Sequence, residues 1–524
     1  MKTKNAKPIL IVLLMLFCAA VLASCAKEPK VLDTPRSLAV EGEILSWKAV
    51  EGASGYAVEI DGEEYECDTN SFSLFLITTK EKKYGIRVLA FSYESGYADS
   101  EWSKLLEYTP KLAEGLVFEP EEKGNGCTVG ADPQNKPVGK LVIPEEDPAT
   151  GRSVTSLKTD AFRDCKELTA VIIPDSVEKI QSRAFNDCTA LTDVKLSKWL
   201  RELYLEAFMN CSSLAKIDLP DELEKIGPNA FSGTAISSLT IPANVSVWGL
   251  GYSIFANCPN LTSIAVDEKN GYFYSENNCI LKKKDRSLCI GIKTSVIPDY
   301  VKDINQGAFV GIAGLTEIVL PDSVENIGAL AFDRCPNLAS VKLNDGLKSI
   351  GGKGEDAQAF VGNPNLKSLY IPASVEFIGN GMFSNCTSLT DMTIDPANKV
   401  YKSDGGCVVR LADSALISCS GSSDYVPAGI KTIEPLAFAH HRFSGRLILP
   451  EGLEKIRTEA FARSTIVSVI MPDSLKEIEV EAFYACYKLK YVELSEEVIL
   501  YRSSGLRGPS IPSYAQVVFR KKAA

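Results

Sequence analysis

Histidine is almost missing from this chain: 524 residues hold two, adjacent at His440 and His441. No Asp, Glu or Cys stands at recognisable ligand spacing from the pair, so the two read as fillers of a packing corner rather than as a metal or acid–base centre. Also missing are a GxSxG elbow, a GxxxxGK loop, an HExxH helix and an acidic EF-hand-like loop. The expectation is a protein that is not an enzyme, without catalytic residues, metal or cofactor. Beyond the first two dozen residues no apolar run is long enough to span a bilayer. Positive charge is in deficit as well: 56 Lys and Arg against 67 Asp and Glu leave a formal charge of −11. Such a surface repels phosphate and excludes nucleic acid as a partner. Lys282-Lys283-Lys284 and Arg520-Lys521-Lys522 are short exceptions, read as solvated tips. With 45% hydrophobic and 23% charged residues, the composition suits packed globular material in two or more units.

At the N-terminus Lys2, Lys4 and Lys7 precede an apolar stretch from Ile9 to about Leu22, the pattern of a secretory signal peptide over residues 1–24. It ends in Leu22-Ala23-Ser24-Cys25, which resembles the lipobox of bacterial lipoproteins. That resemblance implies cleavage before Cys25 and lipidation of its sulfur. The acyl chains would hold the protein on a membrane without a spanning helix. Loss of the leader removes three lysines and no acid, so the mature chain is more acidic still.

Fifteen cysteines in an exported chain invite a disulfide framework, yet seven of them obey a repeat. Cys165, Cys188, Cys211, Cys258, Cys335, Cys386 and Cys486 each follow a phenylalanine by three residues. Equivalent positions in stacked repeats form a ladder, so these read as small buried hydrophobes with free thiols. The phenylalanines recur at 162, 185, 208, 231, 255, 309, 332, 360, 383, 438, 461 and 483, which marks twelve units. From Phe185 apolar residues fall at Leu191, Val194, Leu196, Leu200, Leu203 and Ala207; from Phe309 the same offsets give Leu315, Ile318, Leu320, Val324, Ile327 and Ala331.

Pairs two apart, such as Val194 with Leu196, have the period of a strand with one buried face. A proline such as Pro174, Pro220, Pro321, Pro372, Pro450 or Pro472 then removes a ladder donor and stops the strand. Each unit is thus a strand, a turn, a second short extended piece and an Ala-Phe corner. Half a dozen buried side chains cannot offset the backbone entropy of so many residues, so neighbours must stack into a parallel coil. Acids at Asp175, Asp221, Asp322 and Asp473 fall on turn slots and read as caps. Two long gaps, Phe255 to Phe309 and Phe383 to Phe438, are copies of one another, each an inserted β-hairpin. The candidate disulfides Cys279/Cys289 and Cys407/Cys419 lie in them, with the register left open.

The unit Ile173-Pro174-Asp175-Ser176-Val177-Glu178-Lys179-Ile180, followed by Ala184-Phe185-Asn186-Asp187-Cys188, resembles the BspA-type leucine-rich repeats of bacterial surface proteins, from about 140 to 500. The resemblance implies a mostly β leucine-rich-repeat solenoid of twelve repeats spaced mainly 22 to 24 residues apart. It also implies a surface or secreted role, several members being implicated in adhesion to host matrix proteins or to other bacteria. Ahead of it, Trp47, Tyr56 and Tyr84-x-Ile-x-Val-x-Ala resemble a fibronectin type III domain, an all-β immunoglobulin-like sandwich. Trp47 would fill its core, Tyr84 would bond back to the chain, and the unit would act as a spacer. The expected order is a linker at 25–32, the sandwich at 33–110, a β-rich cap at 111–155, the solenoid at 156–502 and a C-terminal cap at 503–524. The hairpins fall near 266–298 and 395–427.

On each main strand the residue between two buried ones points outward: Ile172, Lys195, Asp218, Thr240, Ala265, Val319, Lys342, Tyr370, Thr393, Ile448, Ile470 and Glu493. They are expected to form a continuous column, with Lys195, Asp218, Thr240, Lys342, Tyr370, Thr393 and Glu493 as its candidate binding residues. The partner would be a protein or a surface glycan, reached from a cell-envelope protein anchored by lipid, at the outer membrane and facing outward. The alternatives are a glycan-binding accessory lipoprotein and a structural envelope component.

Overall fold

The computed structural model describes residues 29–41, 43–122, 124–246, 251–352, 358–420, 425–501 and 509–521. Every regular element among them is a β-strand, and no helix is long and apolar enough to cross a membrane. The first unit is two facing antiparallel sheets. Three strands, Ala39–Glu41, Ile44–Ser46 and Ser71–Ser73, face four, in the order Glu63–Cys67, Gly55–Ile60, Tyr84–Phe91 and Leu106–Tyr108. Alternation sends Tyr84, Ile86, Val88 and Ala90 into a core shared with Leu45, Val58, Phe72 and Leu74. Trp47 is buried there edge-on to Tyr56, with 5.1 Å between ring centroids. The Tyr84 hydroxyl accepts a hydrogen bond from the Lys80 amide at 3.3 Å.

The rest of the chain winds as a solenoid. Main strands stack in parallel one coil apart, as Ala170 on Asp193 and Val171 on Val194. The two-residue side strands stack likewise, as Lys179–Ile180 on Glu202–Leu203 and then Lys225–Ile226. All twelve corner phenylalanines are buried. Their rings lie nearly parallel at 5.2, 5.1 and 5.9 Å through Phe162, Phe185, Phe208 and Phe231. They do so again through Phe309, Phe332 and Phe360, and through Phe438, Phe461 and Phe483. These spacings are close to the distance between paired strands, as a ladder of equivalent positions requires.

Two residues before and two after the phenylalanine, the backbone turns through the left-handed region. Asp160 and Asp164 flank Phe162 at φ 57° and 59°, and Glu481 and Ala485 flank Phe483 at 56° and 54°. Asp, Asn or Gly fills the later slot at Asp187, Asn210, Gly233, Asn257, Gly311, Gly362 and Asn385, residues that tolerate this conformation best.

The cysteine column is more than apolar filling, which corrects the sequence reading. Cys188, Cys258, Cys335, Cys386 and Cys486 each place Sγ 3.0 Å from the carbonyl oxygen of the preceding coil's phenylalanine, and Cys211 at 3.1 Å. Where a repeat has Asn363 instead, its amide reaches the same carbonyl, Phe332 O, at 2.9 Å. In most coils the slot holds a side chain with a donor, because the corner carbonyl has turned away from both strand ladders, while Ile312 fills it without one. His441 fills the slot in its own coil, buried against Phe438 and Phe443.

The inserts are three-stranded antiparallel meanders: Phe273–Glu276, Cys279–Lys282 and Leu288–Gly291, and then Tyr401–Asp404, Cys407–Arg410 and Ala415–Cys419. Each carries a bulge at the same place, after Ile280 and after Val408. Cys407 lies opposite Cys419 and the two are bonded. Cys279 lies opposite Gly291, while Cys289 occupies the bulge, so the candidate pair Cys279/Cys289 is not a disulfide. A side chain at Gly291 would run into the Phe309 ring, its Cβ 2.0 Å from the nearest carbon. The inserts also divide the interior into three apolar clusters, and Phe255 and Phe383, which precede them, stand outside the three ring stacks.

The ends are closed differently. Leu116–Pro120 runs antiparallel over Cys127–Ala131 at the start, and Gln516–Arg520 adds a last parallel strand to Tyr491–Ser495.

Candidate binding surface

The outward column starts covered. Phe75, from the loop after Ser71–Ser73 of the sandwich, packs on Val142, Ala170 and Ile172, so Ile172 is buried and offers nothing to a ligand. Beside it Lys140 is buried in turn, its ammonium donating to a Glu43 carboxylate oxygen at 3.0 Å and to the Thr78 carbonyl at 2.8 Å. Burial pulls the Lys140 pKa below the ordinary lysine range, with the Glu43 carboxylate working against that shift. The sandwich is therefore packed on the first two main strands, not joined to the solenoid through its linker alone. Tertiary contacts of this kind leave no periodic trace in sequence.

Farther along, Lys195 is half-buried, and the coil containing Asp218 forms no main strand. Asp218 pairs with Lys216 at 3.1 Å and shares with Thr240, Ser238 and Asp267 a shallow depression of about 220 Å³. Thr240, Val319, Lys342, Tyr370, Thr393 and Ile448 are exposed, and Ala265 and Ile470 are half-buried. Tyr370 holds half its ring to solvent while its hydroxyl donates to Asp395 Oδ2 at 2.6 Å. That hydrogen bond raises the phenol pKa and lowers that of the carboxyl. The ring is thus fixed by its polar end and free on its face. At the far end Glu493 accepts from the Tyr491 hydroxyl at 2.9 Å and faces Arg520 Nε at 3.4 Å. The expected continuous column is therefore closed at its first strand, broken at Asp218 and internally paired at Glu493. The two inserts interrupt it as well, so its open members stand on separate strand pairs: Thr240 opposite Ala265, Val319 opposite Lys342, Tyr370 opposite Thr393 and, beyond the second insert, Ile448 opposite Ile470.

Cys25 lies outside the described residues. Among the described residues, no three His, Cys, Asp or Glu side chains are grouped closely enough to hold a metal ion.

The side strands carry a feature that the sequence reading missed. Charges alternate from coil to coil: Lys179, Glu202 and Lys225 on the strands at 3.8 Å each, and Lys302, Glu325 and Lys348, each just before its strand, at 2.9 and 2.6 Å. The two lysines hold the Glu325 carboxyl down at about 2. Within each set the residues stand one coil apart at matching places beside the side strand, so their sign alternation was readable once the register was known.

Residues 148–277, 286–404 and 410–511 match the BspA type leucine rich repeat region in six copies. No curated protein matches the sequence. Similar solved structures include a leucine-rich repeat protein from Bacteroides ovatus, at 21% identity and a TM-score of 0.36, over 78% of this chain and 99% of that one. Another, from Eubacterium ventriosum, shows 18% identity and 0.41 over 76% and 92%. The pneumococcal vaccine antigen PcpA shows 17% and 0.42 over 78% and 99%.

Proposed function

The chain belongs to the BspA-type leucine-rich-repeat family, its repeat region matching well over half of the sequence, and on that premise we propose that it is a cell-envelope lipoprotein whose solenoid binds a surface or matrix protein. Cys25 is its lipid anchor, and the protein sits on the outer membrane facing outward. Its first folded unit is a fibronectin type III-like domain, in keeping with the two facing sheets, the buried Trp47 and the Tyr84 bond back to Lys80.

The observation that carries the binding reading is the open part of the column between the two inserts. Val319 and Tyr370 expose apolar surface beside Lys342 and Thr393 on four consecutive stacked strands. Such a face presents contacts already in place, so a partner meets little ordering cost. Aromatic anchors amid mixed polar groups are what protein interfaces use.

The test is a binding screen of the chain against host matrix proteins, with Tyr370→Ser and Val319→Ser as the variants. Each substitution is expected to weaken capture of a bound protein by roughly tenfold while leaving thermal unfolding unchanged. A screen in which bound proteins ignore both variants rejects the face. Separately, Cys25→Ala is expected to move the protein from the membrane to the soluble fraction, and retention on membranes rejects the anchor.

A further inference from the structure

The two inserted hairpins are duplicates in register and bulge, and besides the disulfide of the second they differ in how their cations are neutralised. In the second, Arg410 is neutralised inside the fold: its guanidinium donates to Asp413 at 2.7 Å and to the buried Glu434 at 2.8 Å. The matching position of the first hairpin is Lys282, and the residue matching Glu434 is the neutral Asn305. The equivalence rests on the backbone, since Asn305 N–H donates to Leu288 O and Glu434 N–H to Leu416 O, 2.8 and 2.9 Å. The first hairpin has lost the internal acid and kept the cation.

It has also gained cations. Lys282, Lys283, Lys284 and Arg286 fall within five positions of the tip, in a chain of net charge −11. Among the described residues none of the four has a carboxylate within ion-pair distance, although most cations of the neighbouring side strands do. Lys283 Nζ rests on the Asn270 carbonyl at 2.6 Å and Arg286 lies over the Tyr300 ring at 5.4 Å, contacts that orient the charges without cancelling them. Asp285, the one acid of the tip, accepts from the Ser287 amide at 3.0 Å. Against the effect of burial, hydrogen bonding from Ser287, helped by Lys282 and Lys284, holds its carboxyl below the ordinary range, so one acid stands against four cations.

Beside the tip is a cleft of about 340 Å³. Lys282 forms one wall and the half-exposed ring of Tyr252 another; Gln306 supplies an amide and Asn305, whose Nδ2 is held by Ser287 Oγ at 2.9 Å, a carbonyl, with Phe273 and Cys289 also lining it. An aromatic face and amides suit a pyranose ring with its hydroxyls, and a surplus of ammonium groups over the single Asp285 carboxylate suits an acid on that ring. We infer that this cleft and tip bind an acidic polysaccharide, one whose sugars carry carboxylate or sulfate. The site is separate from the open column, so its failure leaves the protein-binding reading standing.

The test is calorimetric titration of the chain with polygalacturonate, dextran sulfate and neutral dextran, with poly-glutamate and phosphatidylglycerol vesicles as non-sugar anions. One or both acidic polysaccharides are expected to bind, more weakly as salt rises, and neutral dextran is not. Lys282→Ser with Lys284→Ser is expected to weaken that binding by at least ~10-fold. Tyr252→Ala is expected to weaken it by a similar factor, about tenfold, while leaving any poly-glutamate binding unchanged. Lys402→Ser on the second hairpin serves as a control that changes nothing. Tightest binding to poly-glutamate or to vesicles overturns the proposal, as does polysaccharide binding that survives the substitutions at Lys282, Lys284 and Tyr252.

Discussion

Three asparagines, one in each of three turns, show how a single side chain can tie coil to coil. Asn270, Asn344 and Asn398 are all buried, and each donates to two carbonyls of the coil before it. For Asn398 these are Pro372 O at 3.2 Å and Val375 O at 2.9 Å. Its Oδ1 also accepts from the amides of Val400 and Tyr401, 2.9 and 2.8 Å, which launches the second hairpin. Asn344 precedes no hairpin, and its Oδ1 has no partner. At about 1 kcal/mol per hydrogen bond, Asn398→Ala is expected to cost about 4 kcal/mol and Asn344→Ala about half of that. Denaturant midpoints measure both, and equal costs would refute the assignment. The repeated Asp-x-x-Asn of the inserts was visible in sequence as a mark of duplication. Its bonds were not, because the carbonyls that it satisfies belong to another coil. The left-handed corner was legible in a weaker way, as Asp, Asn or Gly two places after most of the phenylalanines, but Arg334, His440, Arg463 and Ala485 break that pattern and obscure it.

Among elements, the side strands decide the register of the coil. A buried Ile or Leu in each two-residue strand says only that some coil lies beneath; the exposed neighbour says which. With Lys302, Glu325 and Lys348 on consecutive coils, a slip by one coil would set like charges against each other. Glu325 gives this a pH signature. Its carboxyl titrates at about 2 in the folded protein against an ordinary 4.5, held down first by the hydrogen bond from Lys348 and then by that from Lys302. A lowered folded pKa means stability present above the ordinary value and lost as pH falls from there through the folded one. The advantage of the wild type over Glu325→Gln is therefore expected to be full near neutral pH, to shrink below about 4.5 and to vanish near 2. Added salt should shrink it at every pH, since all three side chains reach solvent. Urea midpoints of the two proteins across that range provide the check, and a gap that widens toward acid would reverse the argument. Strand order and coil period were legible because the apolar template repeats; the breaks at the two inserts were legible because their copies align. The division of one core into three was not, since it depends on which phenylalanine rings meet.

At the scale of the whole molecule, the sandwich and the solenoid meet on one small, specific contact. Phe75 fills an apolar seat made by Val142, Ala170 and Ile172, and Lys140 buries its charge against Glu43 and the Thr78 carbonyl. Removing one member of a buried pair leaves the other charge without compensation, so the contact should fail as a unit. It also fixes the first unit over Ile172, at the beginning of the outward column. Replacing Phe75 by Ala removes a buried ring worth about 3 kcal/mol, roughly a hundredfold in the ratio of docked to undocked forms. Phe75→Ala combined with Lys140→Ala is expected to let the sandwich swing away, raising the radius of gyration in small-angle scattering and opening the connection around Tyr108 to Gly115 to protease. Ile172 would then become accessible. The solenoid core distant from the contact is expected to keep its hydrogen-exchange protection, because each coil depends chiefly on its immediate neighbours. Scattering that stays identical to the wild type, with the connection still resistant to cleavage, would mean that other contacts hold the two units and that Phe75 is only one filler among several.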